Sequence, residues 1–292
     1  CAGLQSDGWL AGPAIDAGHG GRVSLSITGS LTHPWRHRAL IWILTRREIT
    51  TRYRGSLLGS LWSLITPLLM LGVFTLVFGV VLAARWPGGE GDGLGMVALR
   101  LLAGIVMHTL LADSLSRAPA LVVSQPNYVN KVVFPLEVLS WINLLAALTH
   151  LAIALAVLVV VNGIWGTGFA ASQWSLPLLV LPYAVLLLGL TWVFAALGVY
   201  VRDLTQLVGP LVMMAMFLGP VFFPRSAMPE ALQPWLVLNP LTIPIEQLRA
   251  AIFEGQWPDW VVLLEYSLVA VAVYMFGLWI FSSLKKGFAD VI

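Results

Sequence analysis

The chain has 292 residues, of which 59% are hydrophobic and only 10% are charged, with a formal net charge of +2. A soluble domain carries about 25% charged residues, because water has to solvate its surface. The composition therefore excludes an ordinary soluble protein and predicts an all-α integral membrane protein. The single cysteine, Cys1, excludes an internal disulfide framework and a thiolate metal cluster.

The first 60 residues precede the long apolar segments. Residues 1–34 are rich in glycine, serine and other small residues, which predicts a flexible tail. Residues 35–60 combine tryptophan and arginine with apolar side chains at helical spacing, a pattern typical of an interfacial helix in the cytoplasmic headgroup layer. Packing of this helix on its own chain is an equally good interpretation.

Six apolar segments follow, each long enough at about 1.5 Å per residue to cross a hydrocarbon core of about 30 Å. Two polar connections stand out between them. We expect residues 117–135 to lie on the cytoplasmic surface, and the proline-punctuated residues 224–260 to form two short external helices. The predicted spans are residues 62–84, 94–116, 136–161, 176–200, 204–223 and 261–284.

The distribution of basic residues sets the orientation, because lysine and arginine are retained on the cytoplasmic side of a membrane. With both termini in the cytoplasm, twelve of the 16 basic residues fall on inner segments and four on outer ones. We therefore predict a multi-pass plasma-membrane protein with cytoplasmic termini. The basic residues lie beside apolar spans rather than along a groove, so nucleic acid is not an expected partner.

The chain lacks the usual signatures of enzymes. Its three lysines, Lys131, Lys285 and Lys286, do not follow a glycine-rich phosphate loop, so ATP hydrolysis by that route is excluded. No spacing of histidines and acids indicates a metal site, and no serine is paired with His108 or His150 at a spacing that favours a hydrolase. His108 is a candidate for an interior path or for ordinary packing.

Residues 46–62 (RREITTRYRGSLLGSLW) resemble the beginning of the membrane subunit of type-2 ABC polysaccharide exporters. The similarity resumes at residues 127–137 (NYVNKVVFPLE), at 200–204 (YVRDL) and at 239–242 (NPLT), which Arg249 follows. It covers about residues 40–286 in order. Residues 104–108 (GIVMH) depart from the pattern, which leaves His108 without a role in the family.

The resemblance implies a homodimer of six-span subunits that exports a lipid-linked polysaccharide such as O-antigen. Two copies of a separate P-loop ATPase would bind ATP and Mg²⁺, so this chain would need no cofactor of its own. The two external helices would close the channel on the outside. The segment before span three would dock on the ATPase through Asn127, Tyr128, Asn130, Lys131 and Glu137.

Two further sets of residues are candidates for contact with the substrate. The arginines near the first span can attract the pyrophosphate of a lipid-linked glycan, although setting topology and binding bulk anionic lipid would also explain them. Aromatic rings in the spans can line a channel for sugars, or simply pack or face lipid. The arginines are Arg46, Arg47, Arg52 and Arg54, and the rings are Trp62, Phe74, Phe78, Phe217, Phe222 and Phe223.

Other transport functions fit much of the same sequence. A type-2 ABC exporter of small drugs or lipids would share the topology and the ATPase partner. An ATP-independent channel or carrier would share only the spans. Through the family resemblance, the long basic segment and the external helices favour the glycan exporter over the exporter of drugs or lipids. Stimulation of transport by ATP through a second subunit would distinguish both from a channel or carrier.

Overall fold

The computed structural model describes residues 37–52, 54–83, 85–87, 94–130 and 134–292. The predicted tail, residues 1–34, and Lys131 lie outside these ranges. The described residues form helices and turns without a strand, because a chain surrounded by lipid must satisfy its backbone polar groups within each segment. The prediction of an all-α protein is confirmed.

The helices follow the apolar segments closely. A 3-10 turn (Gly59–Leu61) leads into the first long helix, and a π-helix (Thr75–Val81) extends it. The α-helices of the described part are α1 (Arg38–Arg52), α2 (Trp62–Phe74), α3 (Leu94–Leu115), α4 (Pro126–Asn130), α5 (Val138–Trp165), α6 (Leu176–Tyr200), α7 (Leu204–Phe217), α8 (Gln233–Leu236), α9 (Thr242–Phe253), α10 (Trp260–Leu284) and α11 (Phe288–Val291).

Five helical segments in the described ranges are long and apolar enough to cross a membrane. They coincide with the predicted spans one to four and six. The third is longer than expected, since α5 continues to Trp165, four residues past the predicted end at residue 161. The five segments are Gly59–Val81, Gly95–Ala120, Val138–Trp165, Ala171–Tyr200 and Trp260–Val291.

The predicted fifth span, residues 204–223, contains a shorter helix than expected. α7 has 14 residues and is about 21 Å long. It ends at Phe217 because Pro220 has no backbone N–H and disfavours helical geometry at the residue before it. The side-chain amide of Asn239 donates to the carbonyl of Ala215 over 2.7 Å, which satisfies one of the carbonyls left open at this end.

α6 lies at the centre of the bundle and packs most extensively on α10. Glycines at the crossing allow the two backbones to approach closely: a Cβ on Gly277 would meet the backbone of Gly189. The indole of Trp192 is buried next to the crossing. Its ring centroid lies 5.1 Å from that of Tyr274, and its N–H donates to the carbonyl of Glu137. This crossing joins the last span to the core.

We expect Gly189→Ala to destabilise the protein by about 1–3 kcal/mol, because the new methyl group would lie 2.6 Å from the carbonyl oxygen of Val273 and overpack the crossing. Thermal unfolding of the detergent-solubilised protein measures the effect. Gly72→Ala in α2 is the matched control, since nothing lies within 4 Å of its Cβ position. Equal melting temperatures of the two variants would contradict the close crossing.

Candidate functional site

The predicted cationic site lies at the C-terminal end of α1. Arg46 and Arg47 are exposed on the helix, and Arg54 is exposed in the turn that follows it. The guanidinium of Arg52 instead donates to both carboxylate oxygens of Asp113, over 3.0 and 3.1 Å. All four arginines are therefore exposed, and Arg52 also neutralises an acid near the C-terminal end of α3.

α1 is fixed to the membrane helices by packing and by charge. Its buried residues Ile41 and Thr45 lie one turn apart against α5. Arg117, just after α3, donates to the carboxylate of Glu48 over 2.9 Å. On the other side Trp42 is 69% exposed, as suits a helix in the headgroup layer. The helix thus packs on its own chain and keeps an apolar surface for lipid.

A cavity of about 240 Å³ lies between α2, α3 and α5, next to the Arg52–Asp113 ion pair. We call it the inner cavity. Much of its wall is apolar, including Pro67, Leu110 and Leu151. Its polar lining comes from four helices and consists of Arg52, Ser63, Thr66, Thr109, Asp113 and His150.

Four of the six candidate channel rings lie together near the C-terminal ends of α2 and α7. Phe74 and Phe78 meet edge to face, with ring centroids 6.1 Å apart. These two rings and Phe222 pack against a small buried cluster of Trp86, Val97 and Leu101. Phe217 lies 5.8 Å from Phe222 and is exposed. The sequence interpretation missed Trp86. The only local sign of a role for this residue is its position just after the first apolar run.

The other two candidate rings lie elsewhere. Trp62 is 42% exposed and lines the inner cavity. Phe223 is half-buried where the chain turns into the external segment. The aromatic candidates therefore divide between an inner position on α2 and an outer group around Trp86.

Arg249 joins the external helix α9 to α3 and to the end of α7. Its Nε donates to the carbonyl of Arg100 over 3.0 Å, and its two terminal nitrogens donate to the carbonyls of Pro220 and Val221 over 2.5 and 2.6 Å. Gly104 of α3 leaves room for the guanidinium, because a Cβ at this position would lie 2.9 Å from one of its nitrogens. We call these three hydrogen bonds the Arg249 clamp. The sequence interpretation counted Arg249 as an outer charge and as part of the family resemblance, without a partner for it.

The guanidinium of Arg249 keeps its charge in this buried position. Its carbon lies 4.7 Å from the centre of the Trp86 ring, a cation–π distance. Burial lowers the pKa of Arg249 to about 9, so the side chain remains protonated at neutral pH. The clamp therefore acts as a charged donor to three backbone carbonyls, which strengthens each hydrogen bond.

The predicted ATPase-coupling residues divide into two groups. Asn127 is exposed on α4, and Tyr128 stacks on Phe134 with ring centroids 4.3 Å apart. Only the backbone of Asn130 is described. Glu137 is only 14% exposed and pairs with Lys285 over 2.9 Å, so it links the start of α5 to the end of α10 instead of projecting from the surface.

His108 packs between two helices. Its Nε2 lies 3.1 Å from the carbonyl oxygen of Val212, which joins α3 to α7. The sequence left open an interior path or a packing role for this histidine. The contact with α7 favours the packing role for His108.

Comparison with known proteins identifies the class of the chain. A family model described as "ABC-2 type transporter" matches residues 39–253. The chain is 28% identical over 266 residues to the O-antigen export system permease protein RfbA of Myxococcus xanthus, covering 88% of this chain and 97% of that protein. It is 24% identical to RfbA of Klebsiella pneumoniae, covering 87% and 95%. It is 22% identical to the polysialic acid transport protein KpsM of Escherichia coli, covering 80% and 88%.

We expect Arg249→Met to destabilise the protein by roughly 3 kcal/mol or more, because each buried carbonyl left without a donor costs about 1–3 kcal/mol. Lysine at this position would recover only part of the loss, since one ammonium cannot reproduce the planar fork of the guanidinium. The measurement is thermal unfolding in detergent. Arg46→Met removes an exposed arginine and should change stability by less than about 0.5 kcal/mol. If the two methionine variants melt alike, the clamp does not hold the outer segment.

Proposed function

This chain belongs to the ABC-2 type transporter family, and within that family we propose that it is the membrane subunit of an ATP-driven exporter of lipid-linked polysaccharide, O-antigen or a similar cell-surface glycan. One observation carries the proposal: the alignment with an O-antigen export permease covers 97% of that protein's length. The shared length favours the same set of helices in both. The polysialic acid transport protein adds a second surface glycan to the relatives.

The proposed subunit crosses the bacterial inner membrane six times, with both termini in the cytoplasm. α7 is the fifth crossing. Its 14 residues are too short to cross the hydrocarbon core alone, and the buried turn through Pro220 and Val221 covers the remaining thickness. The excess of basic residues on the inner segments supports this orientation.

The proposed transporter contains two copies of this chain and two copies of a P-loop ATPase. α2 and its π-helical extension support the pairing of copies, since only 11% of this apolar segment is buried within one chain. A second copy would cover part of that surface and enclose a channel. The ATPase would bind ATP and Mg²⁺ and dock on residues 117–135, including Asn127, Tyr128, Asn130 and Lys131.

In the proposed mechanism, the exposed Arg46, Arg47 and Arg54 attract the pyrophosphate of the lipid-linked glycan from the inner leaflet. Closure of the ATPase moves residues 117–135. Because Arg117 pairs with Glu48, that movement reaches α1 as well as α3. The glycan then passes between the two copies along rings of the kind found around Trp86, whose apolar faces hold sugars without fixing them in one position.

The test is glycan export by cells that contain the chain together with its ATPase subunit. We expect the triple variant Arg46→Ala, Arg47→Ala, Arg54→Ala to lower export about 10- to 100-fold, since each basic residue near an anionic surface contributes about 1 kcal/mol. Binding of a lipid pyrophosphate to the purified complex should weaken to a similar extent.

The matched control removes three exposed inner cations from other places, Arg38, Arg202 and Lys286. It lowers the inner positive charge equally and therefore separates substrate attraction from topology. Unchanged export in the first variant, or an equal loss in both, would remove the arginines from the proposed mechanism.

A further inference from the structure

The hydroxyl groups that line the inner cavity donate their hydrogen atoms to backbone carbonyls. Thr66 donates to the carbonyl of Trp62, and Thr109 donates to that of Ile105, both over 2.8 Å. Ser63 likewise donates within its own helical turn. A hydroxyl has one hydrogen and two lone pairs, so each of these oxygens offers the cavity an acceptor and no donor.

The ion pair at the edge of the cavity adds acceptors in the same way. An ionised carboxylate has about four lone-pair sites, and Arg52 uses one on each oxygen of Asp113. The pair has no net charge. Arg52 and His150 also line the cavity and carry N–H groups. The hydroxyl and carboxylate oxygens nevertheless make the inner cavity rich in hydrogen-bond acceptors, which a ligand with several O–H donors can fill.

The charges of Arg52 and Asp113 also determine which kind of ligand can bring these donors. A phosphate beside Arg52 would also lie beside the carboxylate of Asp113, and a cation beside Asp113 would also lie beside the guanidinium, so the paired charges offset the attraction of either ion. A neutral group with several O–H donors meets neither repulsion. The cavity of about 240 Å³ has a small volume, suited to one sugar ring rather than to a chain.

The position of the cavity agrees with a ligand attached to a lipid phosphate. Arg54 is exposed and follows Arg52 by two residues, so a phosphate near Arg54 would lie beside the cavity. Trp62, partly exposed in the cavity wall, offers an apolar ring face to the C–H groups of a sugar.

We propose that the inner cavity binds the sugar residue next to the lipid pyrophosphate, through hydrogen bonds from the sugar hydroxyls to Thr66, Thr109 and Asp113. The proposal rests on the proposed export function and adds a subsite to it. The arginines hold the charged part of the substrate at the membrane surface, and the cavity identifies its first sugar.

The experiment compares two probes on the purified complex of the chain with its ATPase in lipid nanodiscs. One probe is dodecyl pyrophosphate, and the other is the same lipid bearing one glucose, galactose or N-acetylglucosamine. We expect the wild type to bind at least one glycosylated probe at least fivefold more tightly than the bare lipid. The combined Thr66→Val, Thr109→Val variant should lose that preference, at about fivefold for each lost hydrogen bond.

Thr149→Val is the matched control, because Thr149 also donates to its own helix but lies outside the cavity lining. Valine has nearly the shape of threonine, and the melting temperatures of both variants serve to confirm folding. Retention of the preference by Thr149→Val and its loss in the double variant support the subsite. A wild type without preference, or a double variant that keeps it, overturns the proposal.

The design also separates this proposal from the export function. The arginine triple variant should weaken binding of both probes equally and leave their ratio unchanged. If neither probe binds the wild type, the proposed function itself fails. If both bind with equal affinity, only the sugar subsite fails.

Discussion

The Arg249 clamp is the interaction on which the outer half of the structure depends. One guanidinium satisfies carbonyls from α3 and from the turn after α7, and it is carried by α9. Without it, the chain between α7 and α10 would have to leave buried backbone acceptors without donors, which a membrane environment makes costly. The clamp therefore allows α7 to be short. It also fixes Trp86, and hence the rings packed against its cluster, to the same point.

The inner half is organised by charge pairs of a different kind. Arg52–Asp113, Arg117–Glu48 and Lys285–Glu137 are all partly exposed, where an ion pair contributes little to stability. Their effect is positional: the first two join α1 to the C-terminal end of α3, and the third joins the start of α5 to the end of α10. A push on residues 117–135 is thus shared with α1. Rigid carbonyl binding outside and exchangeable ion pairs inside suit a subunit driven from the cytoplasmic side.

The features that the sequence predicted are those set by local physics. Spans follow from hydropathy and bilayer thickness, and the end of α9 follows from Gly255, whose φ of +65° lets Gln256 donate back to Ala250. The partners of Arg52 and Arg249 could not be predicted, since Asp113 lies 61 residues from Arg52, and the carbonyls that Arg249 binds lie 28, 29 and 149 residues from it. Pro220 ends α7 early, but the donors that satisfy the carbonyls at this end, Asn239 and Arg249, come from farther along the chain, and no window of hydropathy contains them.

The separation between exposed arginines and a neutral cavity follows from the cost of moving charge into the membrane. In the proposed mechanism, the pyrophosphate stays where water and guanidinium groups solvate it, at the level of the exposed Arg46, Arg47 and Arg54. A sugar ring carries no charge and can enter deeper if acceptors replace its hydration. Thr66 and Thr109 provide those acceptors because their hydrogens are bound to their own helices. Ordinary helix hydrogen bonding thus leaves two threonine oxygens as acceptors, which suit the hydroxyl groups of the proposed sugar better than a phosphate.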